Sequence, residues 1–239
     1  MERFIDFSKI PENIKRIKLD IGLSYNAPHS QIWFENNPEN DLYIFGFDPN
    51  PDSYETIKNK NIILRNKGHS KPLENKYIND NCFQLVPIAL SNNEIETSMD
   101  FYKMTNDCGT SSLYKPNNNN YLGPIKEIIK VPVFSLKHFF DLFDWNRFPI
   151  IEYLKIDAQG SDFDIIKGAG DYIKNIVYIT AEAESTDYYN CNHNTADNMK
   201  NYLESYDFIM IKHPNTIDPT FINKRFLDLK DKIFICQKG

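Results

Sequence analysis

Short apolar runs alternate along the chain with stretches whose apolar residues recur at helical spacing. The runs are IKRIKLDIG, DLYIFGFDPNP, CFQLVPIALS, EIIKVPVFS, IIEYLKID and NIVYITAEAE. The intervening helical stretches begin near Ala27 (continuing through HSQIWFE), at DSYETIKN with Asp52 or Ser53 as N-cap, and at LKHFFDLF, SDFDIIKGA and TADNMKNYLESY. Strands of this length joined by helical crossovers predict a parallel sheet flanked by helices. The segment EIETSMDFYKM reads as an antiparallel strand after a polar turn. Two strands, DFIMIK and KIFICQK, close the chain across a polar, Pro-containing excursion, which puts antiparallel strands at one edge of the sheet. Trp33, Phe34, Phe139, Phe140 and Phe143 fall at spacings that suit core packing.

A chain of 239 residues, 41% of them hydrophobic, can bury a substantial core, and it is read as one domain over 1–239. The formal charge of −6, with no long Lys/Arg run, disfavours a nucleic-acid partner. The charged N-terminus lacks the apolar segment of a signal peptide, and no run of membrane-spanning length follows. The expectation is a soluble protein retained in the cytoplasm, with no membrane insertion and its oligomeric state open. Cys82, Cys108, Cys191 and Cys236 are spread without C-x-x-C spacing, and Cys191 and His193 have no matching second pair, so no metal site is expected. Residues 105–124, rich in Asn, Gly, Ser and Pro, read as a long surface loop, either a functional lid or a mobile insertion carrying the Asn117 to Asn120 tract.

In an open α/β sheet, ligands bind beyond the carboxyl ends of the strands. Those ends carry Asp20 and Gly22, Asp48, Ala89 to Ser91, Asp157, and Glu182 with Glu184. The D-x-G turn at Asp20 suits a ligand with an amino-acid moiety, or is merely a turn; the G-x-G-x-x-G spacing of a dinucleotide site is missing. Asp48 is spaced to accept hydrogen bonds from ribose hydroxyls, or caps the next helix. In YLKIDAQGSDFDIIKGA, strand alternation puts Tyr153, Lys155 and Asp157 on one face. There Lys155 can pair with Asp157 or meet a substrate oxygen.

LDIGLSYNA, FGFDPNPDSYETI, PIALSN, TSSLY, SLKHFFD and YLKIDAQGSDFDIIKGA, in this order and spacing, resemble the blocks of FkbM-type S-adenosylmethionine-dependent methyltransferases. The resemblance runs from about Ile17 to Glu184. It implies a class I methyltransferase, Rossmann-like α/β fold: a mostly parallel seven-stranded sheet with an antiparallel edge strand and helices on both faces. It also implies O-methyl transfer from S-adenosylmethionine to a sugar, a glycan or a glycosylated small molecule. Carried over by position, Asp20, Gly22 and Ser24 fall in the loop at the methionine end of the cofactor, Asp48 on the ribose and Ala89 beside the adenine. Ser111 and Ser112 fall in the segment covering the acceptor. Gln159 stands where the family commonly has glutamate, and LSYNAPHS departs from the usual first loop. Both departures raise the alternative of a methyltransferase-like binding or scaffold protein with impaired turnover. For an active enzyme, Asp157 is the expected base, Lys155 the group that keeps it ionised, and Glu182 the next catalytic candidate.

Overall fold

The central strand of the protein is β1 (Arg16–Ile21), buried along nearly its whole length between two parallel neighbours, β2 (Leu42–Phe47) and β7 (Ile151–Ile156). The computed structural model describes residues 1–24, 26–59, 72–105, 107–117, 122–184, 188–211 and 218–229. With β3 (Phe83–Val86), β8 (Ile176–Ala181), β9 (Phe208–Ile211) and β10 (Thr220–Asn223), these strands make a seven-stranded sheet in the order β3-β2-β1-β7-β8-β10-β9. All its pairings are parallel except those of β10 with β8 and with β9, which bring the edge strand β9 in through an antiparallel ladder. β2, β7 and β8 are buried at every position, as expected for strands covered on both faces.

Helices cover both faces. On one, Phe45, Phe47, Leu154 and Ile156 pack with Phe139 and Phe140 of α4 (Leu136–Phe140), Ile165 and Ile166 of α5 (Asp162–Gly168), and Met199 and Leu203 of α6 (Ala196–Glu204). On the other, Leu42, Ile44, Tyr153 and Tyr178 meet Trp33 and Phe34 of α1 (Pro28–Glu35) and Ile57 of α2 (Pro51–Asn59). A short α3 (Asn75–Asn79), not anticipated from the pattern, precedes β3. No helix among the described residues is long and apolar enough to cross a membrane.

Four expectations need correction. The run CFQLVPIALS is two strands: it breaks at Pro87, where β3 leaves the main sheet and β4 (Ala89–Ser91) joins a second sheet of order β4-β6-β5. β6 (Ile125–Ser135), expected in the main alternation, is the middle strand of that second sheet, parallel to β4 and antiparallel to β5 (Thr97–Met104). α2 begins one residue before Asp52, and its first turn is capped by Asn50, whose Oδ1 accepts from the Asp52 amide at 3.1 Å. The partner of β9 is TFIN, inside the polar excursion; the expected closing strand KIFICQK and Cys236 lie outside the described residues.

Candidate active site

A cavity opens beyond the carboxyl ends of β1, β2 and β7, where an open α/β sheet binds its ligands. Gly22 and Ser24 after β1, Asp48 and Pro49 after β2, and Asp157, Ala158 and Gln159 after β7 form one side. Ala89 and Leu90 of β4, Phe101 of β5 and Ile165 of α5 form an apolar side. Cys108, Gly109, Ser111 and Leu113 close it. Cys108, Gly109, Ser111 and Leu113, expected in a surface loop, are therefore cavity wall: Cys108–Thr110 is a 3-10 turn, and Ser112 bridges to Tyr102 of β5. The tract Asn118 to Asn120 lies outside the described residues.

The crossing of two loops sets the floor. Gly22 adopts φ +76°, and a Cβ there would sit 1.8 Å from the Asp157 carbonyl oxygen, so only glycine lets the β1 and β7 loops touch. Its amide is already donated to the Phe47 carbonyl at 2.9 Å, so its contribution is the missing side chain rather than a donor for a ligand.

Lys155 is buried, and its ammonium faces three protein oxygens: the Gly22 carbonyl at 3.1 Å, Asp157 Oδ2 at 3.2 Å and Asp20 Oδ1 at 3.8 Å. It pairs with Asp157, as the alternation suggested, and does not reach the cavity wall. Burial would lower its pKa, but the charges of Asp157 and Asp20 outweigh that and raise it. Asp20 is likewise behind the wall, accepting from Ser30 Oγ of α1 at 2.6 Å. Asp157 keeps 41% of its side chain exposed, toward the cavity. Burial would raise its pKa, and the Lys155 ammonium, with a hydrogen bond from Gln159, holds it below the usual value instead.

Gln159 ties the carboxyl groups together. Its Nε2 donates to Asp157 Oδ1 at 2.9 Å and to Glu182 Oε2 at 2.6 Å. The Tyr189 hydroxyl lies 2.6 Å from Gln159 Oε1 and 2.9 Å from the Thr110 carbonyl oxygen. Gln159 holds φ +51°, a left-handed conformation that an unbranched non-glycine residue seldom takes without external restraint. Glu182 titrates opposite to Asp157: burial first, then the charges of Asp157 and Asp162, push its pKa up to about 9. At neutral pH the two form a carboxylate next to a neutral carboxylic acid, joined by the amide.

Asp48 accepts the Leu23 amide at 3.2 Å and the Asn50 amide at 2.8 Å, and burial lifts its pKa to about 7. Of the residues expected on the acceptor side, Ser111 lines the cavity while its Oγ accepts the Met104 amide. Ser112 does not line it; its hydroxyl donates to the Gln159 carbonyl at 2.6 Å and accepts the Tyr114 amide, fastening the wall segment to the β7 loop. Three residues escaped the sequence reading. Tyr189 sits in a segment without periodicity. Asp162, whose pKa burial pushes up to about 8, accepts the Ala158 and Glu182 amides, which from sequence looks like an ordinary helix start. Ser161, in the same helix start, lines the cavity at 1% exposure, and its Oγ has no hydrogen-bond partner among the described residues.

Among known proteins, a family model described as the Methyltransferase FkbM domain matches residues 26–210. No curated protein and no solved structure matches the chain.

Proposed function

Because the chain belongs to the FkbM methyltransferase family, we propose that it methylates a hydroxyl of a sugar, glycan or glycosylated small molecule with S-adenosylmethionine as donor. When bound, that cofactor would supply a methyl group already activated on a sulfonium. The lining suits such a ligand: the Asp48 carboxyl is placed to accept from ribose hydroxyls, and the apolar wall suits a purine. Asp48 would hold the ribose, Gly22 and Ser24 leave room for the amino-acid end, and Ala89 borders the base.

The observation that carries the reading is Asp157: a carboxylate kept ionised by Lys155 and open to the cavity. Asp157 orients the acceptor hydroxyl and takes its proton as the oxygen gains positive charge. A base with a depressed pKa suffices, because a hydroxyl becomes strongly acidic as its oxygen is alkylated. Glu182, neutral beside it, spares the site a second negative charge.

The second reading, a binding protein without turnover, is favoured by Gln159, which puts an amide where the family resembled by the sequence commonly has a carboxylate. Calorimetry with S-adenosylmethionine, followed by mass spectrometry of a panel of sugars and glycosides incubated with protein and cofactor, separates the two. A 14-Da gain on an acceptor supports the transferase. Binding without any such product supports the second reading, and absence of binding rejects both.

A further inference from the structure

We propose that Ser161 is a cofactor-binding residue whose hydroxyl hydrogen-bonds the purine base. The inference rests on the cofactor reading above. Ser161 and Ile165 are four residues apart at the start of α5, so they share one helix face. That face meets β4: a Cβ on Gly168, one turn further, would lie 2.2 Å from the Ser91 carbonyl oxygen. Ser161, Ile165, Ala89 and Leu90 thus form one patch of the cavity, and Ser161 carries the one polar side chain among these four.

A buried hydroxyl without a partner is costly, and natural chains rarely keep one without a use. Local structure does not account for this one. Ser161 precedes α5 but makes no capping hydrogen bond, and its backbone, at φ −90° and ψ −1°, is one that alanine adopts equally well. The neighbouring strand end, Ala89 to Ser91, offers its Oγ no bond. A flat heterocycle against Ala89, Leu90 and Ile165 would present ring nitrogens that accept and an exocyclic amine that donates, and a hydroxyl serves either. The unmade bond of the empty protein becomes a made bond in the complex.

This gives Ser161→Ala opposite effects on the two states. The empty variant should melt about 2–4 °C higher, since an unsatisfied buried group is removed from a chain of this size. Its Kd for S-adenosylhomocysteine, measured by calorimetry, should rise about fivefold or more, the loss of one hydrogen bond of roughly 1 kcal/mol. The Kd for 5′-methylthioadenosine, which lacks the amino-acid end, should rise by the same factor. A Kd unchanged within about twofold, or a lower Tm for the variant, would overturn the assignment. A loss seen with S-adenosylhomocysteine alone would move the hydroxyl to the amino-acid end and overturn the purine contact. A wild-type chain that binds neither ligand would reject the cofactor reading itself and this assignment with it.

Discussion

Asp157 and Glu182 share one amide partner yet titrate in opposite directions, and this difference assigns their roles. Asp157→Asn keeps the shape and removes the base, so kcat should fall about 10²- to 10⁴-fold with binding of S-adenosylmethionine nearly unchanged. Glu182→Gln imitates the neutral acid already present, and should leave kcat at pH 7 within about threefold; a larger loss in product formation would make Glu182 the base. Gly22→Ala joins a disfavoured backbone to a clash with the Asp157 carbonyl. It should cost about 2–5 kcal/mol in urea unfolding. Lys155 and Asp157 were legible in the sequence because strand alternation is geometric and charges closing an apolar run are costly to bury unless they pair or face a crevice. Ser161 and Asp162 were not, because a serine and an aspartate opening a helix are ordinary capping residues, and only the structure shows that Ser161 makes no capping bond.

The wall segment 107–113 is fastened from its middle onward. Ser112 bonds to the Gln159 carbonyl and Tyr189 reaches Thr110, while Tyr114 donates to Asp164 Oδ2 of α5 at 2.5 Å. Tyr189→Phe removes one tie and frees Gln159 Oε1. Cleavage between residues 105 and 117 in limited proteolysis should then be about fivefold faster, matching roughly 1 kcal/mol of local opening free energy. An unchanged rate would mean that the remaining ties suffice. This segment read as a surface loop because its composition is that of loops, and burial imposed by partners distant in sequence leaves no local periodicity. The same reason hides β10, a four-residue strand in polar surroundings, and the break at Pro87, where an unbroken apolar run serves two different sheets. The runs of β2 and β8 were legible because burial on both faces demands nearly continuous apolar sequence, whereas β1 and β7 were legible despite the charged residues Lys18, Asp20, Glu152 and Lys155 within them.

Three carboxyl groups, two buried and one half-buried, make the stability of the whole protein depend on pH in an unusual direction. Asp48, Asp162 and Glu182 have pKa values raised to about 7, about 8 and about 9, burial being the first cause for each. In the unfolded chain these groups titrate near the ordinary carboxylate values, about 4. Between those values and the raised ones the native state binds more protons than the unfolded state, so stability falls as pH rises through the folded pKa values. The empty protein should therefore melt at progressively lower temperature from about pH 6 to about pH 9. Glu182→Gln should flatten the alkaline end of that curve. A Tm that rises over this interval would show that the carboxyls are ionised at little cost in the native state.

The contact between Gly22 and the β7 loop also sets a timetable. Lys155 and the Gly22 carbonyl it bonds are 133 positions apart, and β1 has β7 as its neighbour on the side away from β2. At about 5–20 residues per second, a ribosome needs on the order of ten seconds to deliver β7 after β1 has emerged. Throughout that interval the central strand presents an open edge, and the cavity has no floor. Ligand can therefore assist the folding of the nascent chain only once β7 has been delivered.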